Sequence, residues 1–308
     1  MAAIVRKELA DYFTSIRFVI LFILVLFASA AGLVAASQGI RGANLPEGFV
    51  FLGLFTTPGN VIPSLVTLVA LLVPIIGIAL GFDAINSERA GGTLSRILSQ
   101  PIFRDSVING KFLAGIVTLS IMVGTMLLLV SGYGLSMIGV PPTAEEVIRL
   151  FLYLFLTIIF GAFWMGLAIL FSILLRRVAA SLLFSLALWL FFSIFILLIA
   201  PAIANALVPT ANGSEAEIIR NTEVQKMILR FSPNTLFSEA TTALLLPKVV
   251  GSLGAITMSQ IAYMLPNPLS LGQSILLIWP HLTSLVSLSA ICFAISYVLF
   301  MRQEIRPI

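Results

Sequence analysis

The chain has 308 residues, 59% of them hydrophobic and only 10% charged, with a net charge of +4. Soluble domains carry about 25% charged residues, so this mean hydropathy of +1.12 places most of the surface in lipid. One cysteine, Cys292, excludes a disulfide scaffold, and the basic balance has no soluble domain that could serve nucleic acid.

A transmembrane barrel would alternate polar and apolar positions over about 10 residues. The runs 151–175 and 178–203 do not alternate, so the fold class is all-α integral membrane protein. Taken in chain order, residues 1–16 form an amphipathic interfacial helix. Val5, Leu9, Tyr12, Phe13 and Ile16 share one face, and Arg6, Lys7, Asp11 and Thr14 the other. Such a helix lies among headgroups, with Arg6 and Lys7 near anionic lipid, or docks a cytoplasmic partner. Stretches without Asp, Glu, Lys or Arg then locate six spans at 17–37, 61–82, 112–138, 147–175, 178–203 and 274–300. Ala28-Ser29-Ala30 mimics a signal-peptide cleavage site, but the uncharged run around it is long enough to span.

Eleven of the 17 basic residues fall on one side if the N-terminus is inside, which sets both termini in the cytoplasm. Three segments outside the membrane have expected structure. Thr143-Ala144-Glu145-Glu146 is a capping box opening span four, and Asp105 or Ser106 caps span three. Ser214-Glu215-Ala216-Glu217 opens an outer helix over 215–231, with an apolar face of Val224, Met227, Ile228 and Phe231, ended by Pro233. The stretch 249–273 is small, polar and proline-broken, and reads as re-entrant or interfacial within an extracytoplasmic segment 204–273.

The cytoplasmic loop 83–111 carries the most specific pattern. Gly91-Gly92 breaks span two, and Thr93–Gln100 forms a two-turn helix stopped by Pro101, with Leu94, Ile97 and Leu98 as its apolar stripe. So short a helix is unstable alone. Clamped between two spans it is either a rigid bar that a partner can grip or a plain connector.

Phe82-Asp83-Ala84-Ile85, Glu88-Arg89, Gly92-Thr93-Leu94, Leu98-Ser99-Gln100-Pro101, Arg104 and Gly110-Lys111-Phe112 together resemble the signature of ABC-2 type permeases. The pattern is most similar to the group linked to multicopper enzyme maturation and to small two-component exporters. Arg6-Lys7-Glu8-Leu9, Phe231-Ser232-Pro233 with Leu236-Phe237, and Phe300-Met301-Arg302 with Glu304-Ile305-Arg306 extend the likeness end to end. The resemblance implies a single six-span domain (type V exporter-like) with an N-terminal interfacial helix. It implies an ATPase-coupling interface of Glu88, Gly92, Thr93, Leu94, Arg96, Ile97, Leu98, Ser99, Pro101, Arg104 and Lys111, with Arg176 and Arg177 in a second inner loop. Two copies of a separate ATPase would bring ATP and Mg, and the permease would be a plasma-membrane homodimer in contact with lipid. An apolar or amphipathic cargo would be exported. The alternative is a non-transporting anchor that relays ATPase motion to an extracytoplasmic partner.

Other chemistries lack their residues. A phosphate-cradling loop needs G-x-x-x-x-G-K-[ST], and Phe112 follows Gly110-Lys111. His281 is the only histidine, and no G-x-S-x-G elbow accompanies Ser284, so hydrolase chemistry is not expected and His281 reads as an interfacial residue. Met122 and Met126 read as apolar filler rather than copper ligands. Gly77 and Gly81 form a GxxxG in span two, after Pro74, serving a dimer or an intra-bundle contact.

Overall fold

The computed structural model describes residues 1–42, 51–93, 103–139, 141–209, 215–246 and 269–302. Among these, the regular structure is entirely helical, and six helices are long and apolar enough to cross a membrane. Thus α1 is Ala2–Thr14, span one is α2 (Ile16–Gly42), and a short α3 (Gly53–Thr56) precedes span two, α4 (Leu65–Gly81). After α5 (Asn86–Ala90) come span three, α6 (Arg104–Ile138), and span four, α7 (Ala144–Leu174). Span five is α8 (Val178–Leu190), a π-helical turn (Phe191–Phe195) and α9 (Ile196–Leu207). Then come α10 (Glu215–Leu229), α11 (Pro233–Leu245) and span six, α12 (Leu271–Arg302).

The chain divides into two compact units, Met1–Ser185 with Val286–Ile308, and Leu186–Leu285. In the first, span four is the central post. It packs most extensively on span two and also on span three, while span one packs on spans two and three. Small residues allow the closest approach. A Cβ on Gly77 would sit 2.6 Å from the Gly161 carbonyl oxygen, and one on Gly81 would sit 2.5 Å from that of Met165. The GxxxG of span two is therefore an intra-bundle contact with span four. Several buried hydroxyls within spans return to their own helix, as Thr118 does to the Ala114 carbonyl and Thr157 to that of Tyr153, which satisfies those donors where water is absent.

Helix ends follow local chemistry. Ser15 is extended, and its Oγ accepts from the Phe18 N–H at 3.2 Å, so α1 stops and span one is capped at one residue. The capping box at Thr143 and Glu146 forms as expected. Glu146, buried, also accepts from the Phe51 and Leu52 N–H groups and ties α3 to span four. Span three departs from expectation. It starts at Arg104 after an extended Phe103 without a side-chain cap, and Asp105 lies inside the first turn. Arg149 is wholly buried one turn from Glu145, with a guanidinium–carboxylate distance of 2.8 Å.

In the second unit, α10 packs on α9 through Ile196, Ala200 and Leu229, flanked by Phe192 and Ile228. The apolar face expected for α10 is therefore rotated. Asn221 and Leu229 are buried, while Met227 is 64% and Phe231 77% exposed. Pro233 does more than end α10. It occupies the first turn of α11, where its missing N–H has no helical partner to lose. The Ser232 hydroxyl just before it donates to the Phe192 carbonyl inside the π-helical turn. The capping-box start at Ser214 and residues 249–268 of the re-entrant or interfacial stretch expected over 249–273 lie outside the described residues, and from Leu271 that stretch is already the helix of span six.

Candidate functional site

The densest polar cluster of the first unit forms where α1, the end of span two and the start of span three meet. Lys111, about two turns into span three, is 5% exposed. Its ammonium donates to Glu8 of α1 at 3.0 Å and to Glu88 of α5 at 2.8 Å. Burying a charge is costly unless it is paired. One lysine with two carboxylates on two other elements meets that condition only when all three elements are in place.

The sequence explains the convergence. Glu8 stands one turn from Ile4 and from Tyr12, and this side of α1 packs on span three. Gly110 makes room for it, since a Cβ there would come within 2.7 Å of the Ile4 Cγ2. Tyr12 then donates its hydroxyl to the Leu80 carbonyl at 3.0 Å, where span two is ending and its last carbonyls lack helical donors. Burial of that phenol raises its pKa above the usual tyrosine range. The expected face of α1 is corrected accordingly. Glu8 is its buried centre, Leu9 and Val5 are half-buried, and Phe13 is 40% exposed.

Lys7 is also corrected. It is half-exposed and its ammonium lies 2.9 Å from Glu8, 3.2 Å from Asp11 and 3.5 Å from Glu88, so its nearest anions are carboxylates of this chain. Burial works against its charge, but Glu8, Glu88 and Asp11 outweigh it and hold the ammonium above its ordinary pKa range. Arg6 is exposed. Arg17 pairs with Asp83 and lies over the Phe82 ring, 5.3 Å from its centroid.

Span four fixes the other side of the junction. Ser172 Oγ accepts from the N–H groups of Ile85, at 2.9 Å, and Asn86, at 3.1 Å. These are donors at the start of α5, and a serine from another helix satisfies them. Gly91 ends α5, and Gly92 has φ +68°, a left-handed conformation that suits glycine. Thr93 Oγ1 donates to the Glu88 carbonyl at 3.2 Å. The break expected at Gly91-Gly92 is thus present.

Of the candidate coupling residues, the structure brings Glu88 and Lys111 into contact with Glu8 and Lys7 of the interfacial helix and sets Gly92 and Thr93 at the turn beside them. Arg104 is exposed at the start of span three. Arg176 and Arg177 are exposed between spans four and five, and the Arg176 charge acts on Arg89 of α5, which brings the two expected inner loops to one region. Leu94, Arg96, Ile97, Leu98, Ser99 and Pro101 lie outside the described residues. Sequence reading missed Tyr12 as a hydrogen-bond donor, Asp83, Asn86 and Ser172. Asp83 had a signal, an acid immediately beyond an uncharged span opposite Arg17 immediately before another. Ser172 had none, since it is one of many hydroxyls inside a span.

The second unit holds a separate buried set. Glu239 of α11 accepts from Arg230 Nε at 3.1 Å and lies 2.6 Å from His281 Nε2 of span six. Glu239 and His281 are both buried, so His281 belongs to a packed polar contact rather than to an interface with headgroups. No group of three or more potential metal-ligating side chains occurs among the described residues.

The sequence profile of the family described as ABC-2 family transporter protein matches residues 2–305. Two curated proteins are similar, each called probable ABC transporter permease protein NosY. That of Stutzerimonas stutzeri is 33% identical over 145 residues, covering 44% of this chain and 48% of the relative. That of Pseudomonas aeruginosa is 30% identical over 152 residues, covering 48% and 49% respectively. The chain thus spans about half the length of the curated relatives it matches.

Proposed function

The chain belongs to the ABC-2 transporter family, and we propose that it is the permease subunit of an exporter driven by a separate ATPase. Two ATPase copies bind the cytoplasmic face of a permease homodimer in the plasma membrane, with both permease termini in the cytoplasm. ATP and Mg stay on the ATPase, because this chain lacks a phosphate-cradling loop. The cargo is apolar or amphipathic. The six uncharged stretches speak against proton or sodium coupling, which relies on ionisable groups at mid-membrane.

One observation carries the reading, the buried Lys111 bridge from Glu8 to Glu88. It flanks in sequence the Thr93–Gln100 segment expected to meet the ATPase. It makes α1, the end of span two and the start of span three a single mechanical piece. Motion imposed on that piece moves spans two and three together and draws α1 with them. Through its tight contact at Gly77 and Gly81, span two passes the motion to span four.

The test is co-purification with the ATPase and its coupled hydrolysis. Leu94→Asp puts a charge on the apolar stripe, and its desolvation on docking weakens the complex. Ser95→Asp, on the polar side, should be mild. Equal ATPase binding and hydrolysis by Leu94→Asp and wild type would refute docking at this segment. Hydrolysis that no candidate cargo stimulates would favour the anchor reading over export.

A further inference from the structure

The junction holds a half-open cavity of about 650 Å³ between α1, the start of span one and the end of span two. Small-ligand sites occupy roughly 300–1,000 Å³. Its apolar side is Phe18, Leu21, Ala79 and Leu80. Its polar side sets the carboxylates of Glu8, Asp11, Asp83 and Glu88 against Lys7, Arg17 and Lys111. The acids exceed the bases, and the excess is visible at one atom. Lys7 and Lys111 both approach Glu88 Oε1, while Oε2 of the same carboxylate is buried and accepts no hydrogen bond. A buried acceptor left in this state calls for a donor. Lys7 and Arg17 are 50% and 53% exposed, and the Arg17 guanidinium, with five N–H groups and Asp83 as its acid partner, retains donors for an anion.

Position narrows the class further. Span one begins at Ile16 and span two ends at Gly81, so the polar-to-apolar change of both spans falls within this cavity. From Ile16, which also lines it, one face of span one continues through Ile20, Ile23 and Phe27, all well exposed. We infer that this cavity binds the headgroup of an amine-bearing phospholipid. The primary ammonium donates to Glu88 Oε2 and the neighbouring carboxylates, the phosphate meets Lys7 and Arg17, and the acyl chains leave along span one. A choline headgroup has no N–H to donate and cannot satisfy the carboxylate oxygen. This inference is independent of what the protein exports.

The experiment uses the full-length chain without ATPase, in nanodiscs of phosphatidylcholine containing a minor fraction of phosphatidylethanolamine, and native mass spectrometry of the extracted protein. Wild type should retain phosphatidylethanolamine over phosphatidylcholine by about tenfold relative to the bilayer, the worth of one good charge-assisted hydrogen bond. Leu21→Trp, which fills the apolar side, should abolish retention. Glu88→Gln should remove the preference for the amine but keep lipid bound. Asp11→Asn, on the exposed side of α1, should lessen the preference without any packing change and serves if Leu21→Trp does not fold. Glycerophosphoethanolamine, which lacks the chains, should compete weakly. Equal retention of both lipids, an unaltered preference in all three variants, or strong competition by the soluble headgroup would each overturn the assignment. So would a Leu21→Trp variant that keeps its lipid and loses the ATPase, which would give the cavity to that partner.

Discussion

Lys111 and Lys7 touch the same two carboxylates, yet their environments give them different weight. Lys111 is buried, so removing it as Lys111→Met leaves Glu8 and Glu88 without their buried counter-charge. Breaking a buried pair costs about 3–5 kcal/mol, and a large fall in the unfolding temperature of the purified chain is expected. Lys7 is half-exposed and screened, so Lys7→Met should cost no more than about 1 kcal/mol. The pH dependence follows from the raised pKa of Lys7. A lysine held above its ordinary value contributes its full stability below about pH 10.4 and loses it only as pH climbs through the raised folded value. The difference in unfolding temperature between wild type and Lys7→Met should therefore be flat from about pH 6 to about pH 9. A difference that shrank across that window would contradict the pairing. In the second unit, Glu239→Ala should destabilise more than Glu239→Gln, because the amide still accepts from Arg230 while the alanine leaves both Arg230 and His281 unmet.

The bundle depends on helices that come close where glycine permits. Gly81→Val would place a Cβ 2.5 Å from a backbone oxygen of span four that has no rotamer to escape by. Overpacking of this kind costs about 1–3 kcal/mol or more. Gly124→Ala, with nothing within 4 Å of the added carbon, is the control and should be neutral or slightly stabilising. Thermal unfolding of both variants in detergent checks this, and equal destabilisation would deny the span two–span four contact. Gly110→Val is more selective. It should push α1 off span three and expose Glu8 and Lys111 while the spans stay assembled, seen as faster hydrogen exchange confined to residues 2–14.

Elements were legible where one physical signal dominates. Long uncharged runs located all six spans to within a few residues at most ends, and Thr143 to Glu146 announced its own capping box. The start of span three was not legible, because Asp105 offers a capping side chain but the chain turns two residues earlier. Nor was α11, since Pro233 fits equally the stop of one helix and the first turn of the next. The junction was half legible. Glu88 and Lys111 stood out through the family pattern, and Lys7 and Glu8 as members of the opening helix. That Lys111 would bridge Glu8 to Glu88 depends on α1 folding back onto span three. That contact spans more than a hundred residues and leaves no local period.

For the whole molecule, the account predicts topology and energy source. In a Cys292→Ser background, a cysteine at Ser87, exposed on α5, should label only after the membrane is opened, and one at Asn212 should label in intact cells. Purified alone, the chain should neither bind nor hydrolyse ATP, whereas co-expression with its ATPase should yield a two-plus-two complex. The central claim is that the Glu8–Lys111–Glu88 bridge makes the N-terminal helix and the loop between spans two and three move as one piece under the ATPase. The most direct measurement is coupled ATP hydrolysis by the reconstituted complex in a double-mutant cycle over Glu8→Gln and Lys111→Met, at a temperature where every variant remains folded. Each single change should lower hydrolysis, and the double variant should be little worse than Lys111→Met, giving an interaction energy of about 0.5–3 kcal/mol. Additive losses, or hydrolysis unchanged by either substitution, would contradict it.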